Sequence, residues 1–280
     1  MSLAPAARHA GGGQRAVFVV AVLASLALLG LNGLLVVRPS LFDGILNPNV
    51  VAGAASHFGS LDHRVHDVTF GLLYGPGIVG LAAQLRSPRR SVAAQVMALA
   101  PWAALGVVFL LTNYWLPFGT KFQMYATAVY GGLTLSALLL HPAGRDLLAA
   151  LRPSRACRPM LLMVAVAAAP LLGFAAVNVA VQRQVARGDI HWQVGHYGFM
   201  AAIGITIVAV GVLAGLRPPG WRLSAWTAGG LAALLGALSL VYPESVSSLS
   251  PAWSLAAIAW GAGFVAVGEK VGLPRSRPGS

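Results

Sequence analysis

The chain has 280 residues, of which 57% are hydrophobic and 9% charged, with a mean hydropathy of +0.74. A soluble domain carries about 25% charged residues, so the charges here are too few for a water-facing surface and lipid must be the solvent for most of the chain. The formal charge of +12 does not point to nucleic acid, because the basic residues flank apolar runs and the positive-inside rule accounts for them.

In hydrocarbon every backbone N–H and C=O needs an internal partner, which leaves helices or closed barrels. The apolar runs are near-continuous Leu, Ala, Val and Gly without the alternation of a barrel strand, so the expected fold is all-α. Residues 1–15 form a basic tail holding His9. The first span, 16–37, is too long for an ordinary signal-peptide core, and no small-x-small cleavage site follows, so it reads as a retained helix. An outer stretch with Asp43, His57, Asp62 and His63 leads to spans 68–85, 92–112 and 121–141, the last ending at His141. A basic linker, 142–158, holds the sole cysteine, Cys157, which reads as a reduced loop thiol and excludes an internal disulfide or a C-x-x-C motif. Spans 159–181, 196–216, 221–241 and 251–269 follow, then a basic tail, 270–280. Each span is close to the 17–25 residues that cross about 30 Å of hydrocarbon.

The sequence thus predicts a polytopic integral membrane protein with eight transmembrane helices. With the N-terminus inside, 14 Lys and Arg fall in inner segments and 5 in outer ones. That asymmetry predicts a multi-pass cell-membrane protein with both termini cytoplasmic, its basic loops facing an anionic leaflet. Tyr114, Trp115, Trp192, Tyr197, Tyr242 and Trp253 mark the outer boundary and Trp221 the inner one. Two segments share the pattern G-x-x-A-x-L-R-x-P, Gly80 to Pro88 and Gly211 to Pro219. Each ends a helix that starts near a histidine, His66 or His196. Two tandem four-helix repeats, 16–141 and 159–269, in parallel orientation follow from that order. Pro76, Pro101 and Pro170 lie within spans as packing kinks, and Asn32 and Asn178 are expected to bridge helices.

The chemistry collects on the outer side. The run 57–67 reads His-Phe-Gly-Ser-Leu-Asp-His-Arg-Val-His-Asp. On a helix, His63 and His66 are three apart and His63 and Asp67 four apart, which brings them to one face. Imidazole and carboxylate suit zinc, copper or iron, although Asp62 as a helix cap and Asp67 against the dipole explain those acids without a ligand. In the second half, His191 and His196 are five apart, about 140° around a helix. They cannot chelate from one face unless His191 lies in the preceding loop. His66 and His196, at corresponding helix ends, are candidate ligands for a shared metal or for haem b. The expected metal set is His57, His63, His66, Asp67, His191 and His196. Asp67 and Glu244 are the candidate proton donors or acceptors.

The plan of two four-helix units with outer histidines is similar in outline to haem A synthase and to eight-span copper-resistance membrane proteins. Haem A synthase pairs histidines in two helices of each half, whereas here the fourth helix has only His141, at the opposite face, and the eighth has none. No residue carries over. Four functions stay open: a metal or haem centre for redox, metal handling or hydrolysis; a transporter or channel for a small or lipidic solute; an intramembrane enzyme acting on an isoprenoid or lipid; and a purely structural subunit, which the small loops suggest. The absence of ionisable side chains from mid-span weighs against proton-coupled transport.

Overall fold

The computed structural model describes residues 12–37, 64–112, 118–144, 156–184, 190–193 and 195–272, with the isolated positions 41, 43, 48 and 149. The long elements are all helices. They are α1 (Gly12–Val37), α2 (Arg64–Arg86), α3 (Val92–Leu111), α4 (Phe118–Leu139), α5 (Arg158–Gln184), α6 (His196–Leu216), α7 (Trp221–Val241) and α8 (Pro251–Gly272). A 3₁₀ turn, Pro88–Arg90, joins α2 to α3, and a single helical turn, Ile190–Gln193, precedes α6. Each helix covers its expected span to within a few residues. Seven are long and apolar enough to cross a bilayer; in α4 the apolar stretch Thr127–Leu139 is shorter.

The outer surface has the character of a lipid-facing one. Val20, Leu110, Leu162, Val166 and Val177 are each 60% or more exposed, a density of bare aliphatic side chains that water does not tolerate on a soluble monomer. Helix α6 is the centre of the bundle, with 72% of its apolar window buried against 22% for α1 and α8. Its sequence is apolar all round, as a helix without a solvent face must be. Helix α1 contacts α2 and α4, α2 contacts α3, and α3 contacts α4. In the second half α5 contacts α6 and α8, α6 contacts α7, and α7 contacts α8. The halves meet through α2 and α3 on one side and α6 and α7 on the other. A backbone bond from Ala93 N to Pro219 O, 2.9 Å, ties the two connecting turns together.

Pro76, Pro101 and Pro170 sit inside α2, α3 and α5, which continue through them. Asn32 bridges helices as expected: its amide donates to Tyr130 of α4, and Tyr74 of α2 donates to its carbonyl at 3.4 Å. For Asn178 the expectation needs correction. Its amide donates to Phe174 O one turn back, at 3.0 Å, because the side of α5 that carries it faces a cleft. Cys157 is free, as expected of a reduced loop thiol, and it is buried. Its N–H donates to Gly215 O at 2.7 Å, which holds the start of α5 against the end of α6.

Helices α7 and α8 approach closely enough to bring backbone against backbone. A Cβ on Gly229 would stand 2.5 Å from Gly261 O, while one on the adjacent Gly230 would meet nothing within 4 Å. Close backbone approach needs the first glycine and not the second. Gly229→Val is expected to cost about 1–3 kcal/mol by overpacking, seen as a lower midpoint of thermal unfolding in detergent. Gly230→Val is expected to stay within about 0.5 kcal/mol of the parent.

Candidate functional site: a buried histidine centre

Helices α2 and α6 lie side by side, and their first turns carry His66 and His196. The two rings stack with centroids 5.1 Å apart and planes 26° from parallel. His191 comes from the single turn before α6 and stands 5.2 Å from His66 and 5.5 Å from His196, edge to face with both. Gly195 makes this possible. Its φ of 76° is a left-handed conformation that side chains disfavour, and it breaks the helix between the two histidines. The 140° offset that would separate them on a continuous helix therefore does not apply.

One ligand atom from each of His66, His191 and His196 falls within 4.8 Å of the others. His66 and His196 are 3% exposed, and His191 is half-buried. Asp67, in the first turn of α2, places Oδ1 3.9 Å from Nε2 of His196. That is longer than a hydrogen bond. Tyr197 packs its ring 5.6 Å from His66, and Phe199 closes the inner side at 6.0 Å from His196. Phe199 stacks in turn on Phe70 at 4.4 Å. The three imidazoles thus sit over an aromatic floor, with a carboxylate at one edge.

Of the residues expected at the site, His66, His191, His196 and Asp67 come together. Glu244 is exposed and lies outside the grouped ligands. His57 and His63, with Asp62 and Asp189, lie outside the described residues. Two contributors carry no signal in the sequence. Ser247, 2% exposed in the connection between α7 and α8, has Oγ 3.1 Å from Nε2 of His66. Gln182, near the end of α5, donates from Nε2 to Trp192 O at 3.0 Å and accepts from Gly198 N at 3.3 Å. It ties the His191 turn to the first turn of α6. A serine in a short loop and a glutamine at a helix end are common enough to pass unnoticed; the glutamine's burial in an apolar bundle is what distinguishes it.

Beside the centre, α5 and α8 part to leave a cleft of about 520 Å³. Pro170, Leu171 and Phe174 form one wall and Trp253, Ala257 and Trp260 the other. Its polar lining is Asn178 together with Ser247, Ser248 and Ser250. Ser247 thus belongs both to the cleft and to the histidine centre.

No family model, curated protein or solved structure matches the chain. The functional reading rests on the geometry alone.

Gln182→Ala removes the partner of two backbone groups at a buried place, a loss of about 1–3 kcal/mol for a donor left unpaired. Amide exchange across 192–198 is expected to quicken in this variant while exchange in α7 and α8 stays as in the parent. Unchanged exchange at 192–198 would remove the strap assigned to Gln182.

Proposed function

We propose that the histidine end holds one transition-metal ion on His66, His191 and His196, for chemistry on an amphiphile that reaches it from the bilayer. The observation that supports this most is the convergence of three imidazoles, two buried and one half-buried, from three separate segments. A bundle embedded in lipid gains nothing from grouping such side chains unless they share a partner, and intramembrane ionisable residues are functional by default. Three imidazoles with a carboxylate suit zinc, copper or iron. Stacked rings present their nitrogens side by side, an arrangement for chelating one ion. Axial ligation of haem b instead requires rings on opposite faces of a flat macrocycle.

A transition-metal ion bound there would supply Lewis acidity toward a water or a substrate oxygen. His66, His191 and His196 would hold it. Asp67 would orient His196 and balance charge, as carboxylates beside ligating histidines do, and Ser247 would fix the ring of His66. The cleft between α5 and α8 supports an amphiphilic substrate. Its volume falls within the roughly 300–1,000 Å³ of small-molecule sites, its walls are apolar, and its Ser247 adjoins His66. We take an isoprenoid or acyl tail as the occupant of the walls and a polar head as the group brought to the histidines. The matching order of helix contacts in the two halves supports reading α1–α4 and α5–α8 as repeats about a pseudo-two-fold that passes between α2 and α6.

Metal analysis of detergent-purified protein tests this. Near-stoichiometric zinc, copper or iron is expected in the parent, without a Soret band, and its loss is expected in His66→Ala, His191→Ala and His196→Ala. Asp67→Asn is expected to weaken binding about 10–100-fold. Parent protein that stays free of metal after incubation with each of the three ions would refute the reading.

A further inference from the structure

The end of the bundle opposite the histidines carries the basic residues, and these fall into two groups that differ in what they touch. In the second half Arg217 lies over the Trp221 ring at 4.7 Å. Arg222 places Nη2 3.8 Å from Oε2 of Glu269, whose Oε1 accepts from Trp226 Nε1 at 3.0 Å. These arginines have partners within the protein.

In the first half Arg15 of α1, Arg86 at the end of α2, and Arg89 and Arg90 of the 3₁₀ turn surround one concavity of about 350 Å³. Ser87, Pro88 and Pro142 complete its lining. Among the described residues, none of these four arginines has a carboxylate within 4.0 Å. Besides Glu269, the sequence brings one more acid to this end, Asp146, so at least three of the four charges are left without an internal counter-charge.

The walls are held in place by a buried network. Gln84, 1% exposed, donates to Gly80 O at 3.1 Å and to Ser91 O at 3.0 Å. His141, fully buried, has Nε2 3.2 Å from Gln84 Oε1 and accepts from Ala143 N at Nδ1, 3.1 Å. An accepting Nδ1 makes Nε2 the protonated nitrogen, so this imidazole is neutral and donates to Gln84. The pair locks the Pro88–Arg90 turn against the segment that carries Pro142. All four arginines are exposed; positive-inside placement alone accounts for solvated arginines, but not for four gathered around one braced concavity. Guanidinium groups gathered this way repel one another until an anion joins them, and their planar forks match phosphate oxygens two at a time.

We propose that this concavity is a phosphate-binding site, placed at the end of α2 where it meets the headgroup of an anionic lipid in the adjoining leaflet. It is independent of the metal centre.

The test uses full-length protein in detergent, titrated with phosphatidylglycerol, phosphatidylcholine or inorganic phosphate. Retained ligand is read by native mass spectrometry and stabilisation by the thermal midpoint. Phosphatidylglycerol is expected to be retained and to raise the midpoint, and phosphatidylcholine to do neither. The double variant Arg89→Gln/Arg90→Gln is expected to bind roughly 25-fold more weakly, about five-fold for each charge near the surface. Arg222→Gln, at the same end but outside the concavity, is expected to bind as the parent does. Inorganic phosphate that raises the midpoint and displaces the lipid would make soluble phosphate a second source for the same site. Should the double variant fail to fold, Arg86→Gln and Arg89→Gln singly give the same reading at about five-fold each. Parent-like binding in the concavity variants, an equal loss in Arg222→Gln, or equal retention of the two lipids would overturn the proposal.

Discussion

In hydrocarbon a polar side chain finds its partner inside the protein or stays unsatisfied, and that requirement organises both ends of this bundle. Two glutamines show how. Gln84 and Gln182 are each almost fully buried near one end of a helix, and each uses its amide to fasten a connecting turn. Gln84 holds the turn that carries Arg89 and Arg90, and Gln182 holds the turn that carries His191. Neither touches the groups whose chemistry it positions. An apolar side chain in either place would fill the volume and leave Ser91 O, Trp192 O and Gly198 N to find other partners. The polar residues that look incidental are therefore the ones that make the two ends rigid.

The same requirement separates the chemistry by depth. Between the two ends the described polar side chains are neutral; many are paired, while the buried Trp102 Nε1 and Thr69 Oγ1 have no hydrogen-bond partner. Asn32, Tyr74 and Tyr130 join three helices of the first half in one hydrogen-bonded set, and Thr134 and Thr206 donate to carbonyls one turn back. Trp102 packs against both tyrosines at 5.3–5.5 Å. This fills the first half between its ends with aromatic contacts. The grouped imidazoles lie at one end and the clustered guanidinium groups at the other, with an apolar core between them.

Much of the fold was legible because lipid imposes a single rule on the sequence: about 20 apolar residues without charge form a helix. The span boundaries follow from Arg, Pro and Gly at the ends, as in Arg86-Ser-Pro88 and Arg217-Pro-Pro-Gly220. The site was half legible. His66 and His196 announce themselves by lying at helix starts, and the condition on His191, that it must precede the helix, is met by Gly195. Spacing alone could not supply which histidines share a centre, since that depends on α2 lying against α6, a contact between residues about 130 positions apart. Ser247 was out of reach for the same reason. His141 looked like an ordinary interfacial histidine until the fold buried it against Gln84.

The position of the histidines also bears on what an ion there would accept. His66 and His196 stand in the first turns of α2 and α6, where each helix presents the equivalent of about half a positive charge. Two such ends side by side oppose a divalent cation held only by neutral imidazoles. Asp67, the one carboxylate among the described residues at this site, offsets part of that charge and is itself favoured in the first turn of a helix. One negative charge leaves a divalent ion uncompensated, and the two dipoles add to the deficit. An ion held there would therefore favour an anionic occupant over a neutral one. The adjoining cleft meets the centre through Ser247, and the rest of its lining is largely apolar.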